Sequence, residues 1–542
     1  MSIQIDKEHC TGCNYCAITC PAGAIHLLIE TAAQPVIDLD TCTECGECLY
    51  VCPNNVFSAP ELEAIPLELK EHYDAIIIGA GIGGLMTAAG LARAGKNVLV
   101  LEQMSFVGGK YTHLMHQGYA ISTAAWTCPG PNSRIGKLCK KIGADIDWVT
   151  VHETGAEGGQ QGNHWVVVKD GPRFSSLDEA QETIMGGPGE MHKVHRWVSD
   201  MYNPLVSYPE NMTAREYIRA FVPDNEEYEK YVQTIITYCF ASQTVDTFSA
   251  METKRAIVDS IEQMADWGTA KGGTAAIVAA VERVVKDHNG EIVLRTKVKT
   301  INIEHGKVTG VVLENGKKID ADIVIHNAGL NRLISLTGSE KLPDAYISRL
   351  RSAIPANVAA LVLCTSEPLL GKDHSLLHTM GWDPTLNCYA PTYFDPMLAP
   401  EGQHALDVFW VMEPPYNMKS ELEKVLQQLR EIFPDFDQKV EIKIPMFFTG
   451  RWTAEMAHRI GQSGTERLNP QTPIQNLYMV GYDCIGYGMA GDIIPHGVER
   501  ALYLILDDPA YVPEDVKFSA RVNKWLKAQA LKLIAVGSRF KK

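Results

Sequence analysis

Eight cysteines stand in the first 52 residues of this 542-residue chain, and their spacing repeats. IDKEHCTGCNYCAITCPAGAI is echoed by IDLDTCTECGECLYVCPNNVF, so Cys10, Cys13, Cys16 and Cys20 precede Pro21 as Cys42, Cys45, Cys48 and Cys52 precede Pro53. Thiolates spaced Cys-x2-Cys-x2-Cys-x3-Cys-Pro suit iron–sulfur clusters. Zinc takes four ligands and is usually satisfied by paired Cys-x-x-Cys knuckles, which leaves the third cysteine of each run surplus. Disulfides require an oxidising compartment that nothing else in the chain points to. The other six cysteines, Cys128, Cys139, Cys239, Cys364, Cys388 and Cys484, are scattered singly. The pattern is that of a metal-rich module joined to a larger cytosolic body.

The second stretch built for chemistry is YDAIIIGAGIGGLMTAAGLARAGKNVLVLE, Tyr73 to Glu102. Ala75 to Ile78 is the apolar, β-branched run of a buried parallel strand, and it leads into Gly79, Gly81 and Gly84. Gly79 permits a tight turn, Gly81 lets backbone approach a pyrophosphate, and Gly84 lets the next helix pack on the sheet. Ala80 and Gly83 belong to the same binding turn. A second strand closes on Glu102, where an acid accepts hydrogen bonds from a ribose hydroxyl. Gln103 and Met104 follow, not the basic residue a 2′-phosphate would favour. No second GxGxxG follows a strand downstream, so a dedicated nicotinamide domain is not expected, although a nicotinamide could still visit.

The elements that must hold these residues are legible in part. Lys271 to Ile301 reads as a helix and strand, and Gly306 to Gly329 as a hairpin turning at Asn315-Gly316, then a buried strand from Ile323 to Ile325. Residues 195 to 250 read as helices rich in Tyr, Met and Val. Ser58 to His72 reads as a linker. The length predicts two or three units with ample core, and the net charge of −16 argues against nucleic acid. No spanning run of apolar residues and no leader are visible, so the chain reads as cytoplasmic.

The cysteine module resembles bacterial two-cluster ferredoxins. The resemblance implies that the fourth cysteine of each run ligates the other cluster, one [4Fe–4S] taking Cys10, Cys13, Cys16 and Cys52, its twin Cys42, Cys45, Cys48 and Cys20. The glycine unit ending in Glu102, the Gly108-Gly109-Lys110 turn after it and the distant NLYMVGYDCIGYGMAG are similar to FAD-binding flavoproteins of the phytoene desaturase and amine oxidase superfamily, over residues 73 to about 508. This implies FAD, with Gly108, Gly109 and Lys110 as a second approach to it, and backbone at Val298 meeting the adenine. Gly481 permits close approach, Asp483 stands where a ribityl hydroxyl is bound, and Gly491 lets a helix N-terminus near Asp492 or Ile493 face the flavin pyrimidine. Two departures are Gln103 after the acid and Met489-Ala490-Gly491 where the desaturases carry Pro-Gly-Gly.

The expected fold is α/β: an α+β two-cluster ferredoxin module (1–58), a linker (59–72), a discontinuous Rossmann-like FAD-binding domain (73–130, 266–334 and 451–508), an inserted α+β substrate or cap domain (131–265 and 335–450), and a basic C-terminal helix (509–542). Phe518, Val522, Trp525, Leu533 and Val536 fall on one stripe of that helix. It is expected to dock an anionic membrane, an acidic partner such as the ferredoxin module, or the body itself. Proton donors are sought among His113, His116, Trp126, Cys128, Tyr487 and His496.

Clusters exchange single electrons and flavin one or two, so the pairing converts between the two. With clusters near about −400 mV, electrons moved 200 mV uphill cost about 9 kcal/mol for a two-electron couple, so reduction is favoured over desaturation. The first expectation is reduction of a carbon–carbon double bond in an apolar or activated substrate, fed by ferredoxin or another low-potential protein. The alternatives are an electron-transfer subunit serving NAD(P)H and a redox partner, and a phytoene desaturase-like dehydrogenase.

Overall fold

A computed structural model describes residues 3–59, 68–125, 130–150, 164–242, 244–263, 268–371, 374–450, 455–513 and 518–538. Two seven-stranded sheets dominate it. In the first, His72–Ile78 is central, parallel to Val98–Leu101 on one side and to Lys318–His326 on the other. Its Ile76 and Ile77 are fully buried, as a strand covered on both faces demands. Glu291–Val293 extends one edge in parallel, and the antiparallel pair Lys307–Leu313 and Val298–Glu304 completes the other. Leu477–Met479 adds in parallel beside the end of Lys318–His326, bringing residues about 400 positions apart in sequence to the same edge of the site. The helix Ile82–Arg93 covers this sheet, alanine- and glycine-rich and buried along almost its whole length.

The second sheet runs Arg173–Phe174, His164–Val168, Leu376–Met380, Asn387–Tyr389, His404–Val411, Val358–Thr365, Val440–Phe448. It is antiparallel except where His164–Val168 meets Leu376–Met380. Helices Met191–Tyr202, Ala214–Arg219, Glu226–Phe240 and Ala250–Gln263 pack around it. Gly268–Ala270 is a short strand before the helix Gly273–Asp287. It pairs with Trp148–Thr150, outside both large sheets.

The first 58 residues keep their repeat in three dimensions. Each cysteine run places a one-turn helix, Tyr15–Ile18 or Glu47–Val51, and the halves are tied by the ribbons Ile25–Ile29/Ala33–Ile37 and Gln4–Ile5/Phe57–Ser58. Most of the expected linker, 60–67, lies outside the described residues.

The C-terminal helix runs Phe518–Ser538. Among its described side chains Ala528 and Ala535 are buried, whereas Val522, Trp525 and Leu533 of the expected stripe are exposed. Small side chains let it lie close on Met191–Tyr202, where the Ala528 carbonyl accepts from Ser199 Oγ at 2.8 Å. It therefore docks on the body, not on the ferredoxin-like module. The side chains of Phe518 and Val536 fall outside those described.

Candidate functional site

The cysteines gather by exchange between the two runs. Cys10, Cys13, Cys16 and Cys52 line one small space together with Tyr15, Asn54 and Phe57. Burial, then repulsion from Cys13, Cys52 and Cys10, raises the Cys16 thiol well above its ordinary value. In the other set, burial and then Cys45, Cys42 and Cys20 push the Cys48 thiol up to about 11. Backbone amides point at the sulfurs in matching pairs: Gly12 N to Cys10 Sγ and Glu44 N to Cys42 Sγ, both 3.4 Å, Ala24 N to Cys20 Sγ and Val56 N to Cys52 Sγ, both 3.3 Å. Such donors stabilise ligating thiolates and tune a cluster's potential. Two sets of four soft ligands, mutually repelling without cations and each supplied with N–H donors, fit two iron–sulfur clusters. Among the described residues no three His, Cys, Asp or Glu side chains are placed to hold a single metal ion.

The glycine-rich turn opens on a cavity of about 390 Å³. Gly79, Gly81, Gly83 and Glu102 form one end of its wall, and Gly108, Gly109 and Lys110 continue it. Val298, Gly481, Asp483 and Gly491 line it from three distant segments. Ala80 and Gly84 do not reach it. The Ala80 amide donates to Glu102 Oε2 at 2.7 Å, and Met104 N to Oε1 at 2.8 Å, which fixes the carboxylate at the cavity edge. Burial raises the Glu102 carboxyl above its ordinary value, and the backbone amides of Met104 and Ala80 oppose that shift. A Cβ on Gly84 would stand 2.3 Å from the Gly79 carbonyl, so this glycine permits the close helix packing. On Gly81 it would stand 2.7 Å from Asn327 Oδ1, so a side chain here would have to displace an oxygen that accepts from Gly84 N.

Two organising residues were not singled out from sequence. Asn327 Oδ1 accepts from Gly84 N at 3.0 Å while its Nδ2 donates to the Val480 carbonyl at 2.9 Å, joining the first and last segments of the site. The only hint was its position directly after a buried strand. Glu455 accepts from Leu330 N at 2.7 Å and Asn331 Nδ2 at 2.9 Å, and also lines the cavity. Opposite it, burial lowers the Lys110 ammonium below its ordinary value, against Asp483 and Glu455, which favour the charge.

The helix expected near Asp492 begins as the turn Ala490–Ile493 and continues as Ile494–Leu506, with Gly491 and Ile494 in the wall. Asp492 is turned away and accepts from Arg134 N at 3.0 Å and Ile135 N at 2.8 Å, which keeps its charge off the cavity. Helix N-termini at Gly81 and near Ile494, the Glu102 carboxylate and a glycine-lined wall fit a flavin dinucleotide.

Of the proton-donor candidates, His113, His116, Tyr487 and His496 do not line the cavity. His113 packs against Gly273, its Nε2 3.3 Å from Thr274 Oγ1, and burial pushes it down to about 4. His116 Nδ1 donates to the Ile18 carbonyl at 3.1 Å. Tyr487 lies under the Arg255 guanidinium, and His496 is buried beside Gly486. Trp126 and Cys128 lie outside the described residues. The phenols of the wall are Tyr238, Tyr482 and Tyr111, with Phe409 and Phe448 beside them.

The module is seated on this site. Pro53 and Asn54, directly after Cys52, are themselves part of the cavity wall. Tyr15, between Cys13 and Cys16, is fully buried. Its hydroxyl donates to the Thr123 carbonyl, and its ring stands edge-on to Phe106 at 6.3 Å and Phe448 at 6.4 Å. Arg295 binds Glu47 at 2.8 Å and covers the Tyr50 ring.

The family model for flavin containing amine oxidoreductases matches residues 82–497, and that for a 4Fe-4S dicluster domain matches residues 2–64. A chloroplastic prolycopene isomerase of Daucus carota is 24% identical over 519 residues, 82% of this chain and 83% of that protein. A phytoene desaturase (neurosporene-forming) of Cereibacter sphaeroides is 22% identical over 480 residues, 75% and 90% of the two chains. Among solved structures, an oxidoreductase from Methanosarcina mazei is 25% identical with a TM-score of 0.68, over 80% of this chain and all of that one. A putrescine oxidase variant shares the fold at 14% identity and a TM-score of 0.60, over 80% of this chain and 99% of that one.

Proposed function

The chain belongs to the flavin containing amine oxidoreductases and is an FAD-dependent oxidoreductase with a 4Fe-4S segment, and from that premise we propose that it reduces a carbon–carbon double bond with electrons received singly from a low-potential protein. The observation that carries this reading is the Cys52-Pro53-Asn54 step, where the segment after a cluster cysteine becomes wall of the flavin cavity. When bound, FAD supplies two-electron chemistry and the clusters supply one-electron transfer.

The chain's own residues have separable tasks. Glu102, Asn327 and Asp483 bind and orient the dinucleotide. Cys10, Cys13, Cys16 and Cys52 hold the inner relay. Cys20, Cys42, Cys45 and Cys48 hold the outer one, where Cys45 is exposed. Val358, Phe409 and Phe448 from the second sheet exclude water and suit an apolar, unsaturated substrate. Relatives named for phytoene and prolycopene support that substrate class. Tyr238 is the phenol on the same wall, placed to hold the proton delivered to carbon. In net terms, two electrons from two donor molecules and two protons add across the double bond.

The test is anaerobic stopped-flow absorbance on FAD-loaded, iron-replete protein. Reduced ferredoxin should bleach the flavin, and an unsaturated apolar substrate should restore its colour. Bleaching by NADH or NADPH within milliseconds would instead establish an electron-transfer subunit.

A further inference from the structure

The helix Phe518–Ser538 presents its large apolar residues outward. With Ala528 and Ala535 against the body, 3.6 residues per turn place Val522, Leu526 and Leu533 within roughly 40° of one another on the opposite side, Trp525 beside them. Their exposures are 37%, 54% and 75%, with Trp525 at 39%. Of the 14 exposed large hydrophobic residues among those described, five lie on this helix, Ile534 being the fifth. Scattered exposed apolar residues are ordinary, but a stripe on one face marks a contact surface.

The charge around the stripe says what it contacts. Arg521, Lys524, Lys527 and Lys532 are the only charged residues between 518 and 538, on a chain of net charge −16. Beside Leu526 opens a cleft lined by Arg134, Lys137, Lys141, Lys524 and Lys527 against three carboxylates, Asp259, Glu262 and Glu499. Lys524 binds Asp259 at 3.2 Å and Lys527 binds Glu262 at 2.8 Å, so those acids are engaged, and Lys137 remains exposed.

We propose that this face is a peripheral docking site for an anionic lipid surface, the helix lying in the interface with Val522, Trp525, Leu526 and Leu533 among the acyl chains and the lysine-lined cleft beside the headgroups. A second copy is a poorer occupant. A two-fold contact sets a patch against itself and would bring the basic residues of one copy, Arg521 and Lys532 among them, toward those of the other. Among the described residues no helix is long and apolar enough to cross a membrane, so the attachment is superficial.

The test uses the full chain with FAD and iron bound, floated with vesicles of phosphatidylcholine alone or with one quarter phosphatidylglycerol. Binding to the anionic vesicles should exceed binding to the neutral ones by about tenfold or more and weaken with salt. Leu526→Asp with Leu533→Asp should abolish it while leaving FAD content, iron content and melting temperature unchanged. The proposal fails if the wild-type chain does not float, or if the double variant floats equally well. It fails also if light scattering shows a dimer that the double variant dissociates, which would give the face to a second copy.

Discussion

The side-chain amide of Gln103 donates to the carbonyl oxygen of Pro53 at 3.0 Å, linking the residue after Glu102 to the residue after Cys52. Gln103 also accepts from Arg332 at 3.0 Å, so it is held from two sides. Gln103→Ala should remove about 1 kcal/mol of docking and slow cluster-to-flavin electron transfer several-fold, with FAD and iron contents unchanged. Rapid-mixing kinetics would show this, and an unaltered transfer rate would mean the contact only fills space.

Cys13→Ser and Cys45→Ser should each remove about half of the iron, since each takes one ligand from one four-sulfur set. The two variants should differ otherwise. Cys13 is buried beside Tyr15 at the junction, whereas Cys45 is exposed. Loss of Cys13 should lower the melting temperature more and isolate the flavin from a donor protein that still reduces the outer cluster. Equal iron loss with the opposite kinetic pattern would reverse the inner and outer assignment.

Asn327 should matter as much as the glycines it binds. Asn327→Leu leaves the Gly84 amide and the Val480 carbonyl without partners, at about 1–3 kcal/mol for each buried group. FAD occupancy should fall sharply, and the drop should exceed that of Gln103→Ala. Full occupancy measured by released-flavin absorbance would show that the first and last segments are held by packing alone.

How much of this was legible in the sequence follows from how local each signal is. The cysteine runs and the glycine turn announce themselves because their spacing is dictated by a ligand geometry and a strand–turn–helix step, each complete within about thirty residues. Asn327 and Glu455 carry no such spacing, since their partners lie at Gly84, Val480 and Leu330 and meet only after sheet assembly. Where the candidate histidines sit was not legible for a related reason. His113 and His116 lie on a strand beside the binding turn, yet that strand turns them toward Thr274 and Ile18. The C-terminal stripe was read with the correct period, and what lies against it was left open among a membrane, a partner and the body, because periodicity identifies an apolar side without saying what covers it. Alanines at 528 and 535 decided the matter through close approach of two helices.

Asp407 gives the fold a pH dependence whose sign is fixed. It lies on His404–Val411, buried, and burial pushes its carboxyl up to about 8, against a hydrogen bond from Ser122 that lowers it. An unfolded aspartate loses its proton near pH 4, so between about pH 4 and 8 the folded chain holds a proton that the unfolded chain has released. Stability contributed by this site is therefore greatest in acid and falls by up to about 1.4 kcal/mol per pH unit as pH rises through that window, levelling above about 8. Asp407→Asn supplies a neutral group of similar shape that cannot ionise. The variant should match the wild-type chain near pH 4 and melt at a clearly higher temperature near pH 9. Parallel melting curves for the two chains across that range would show that Asp407 is ionised in the folded state and that the buried site tolerates its charge.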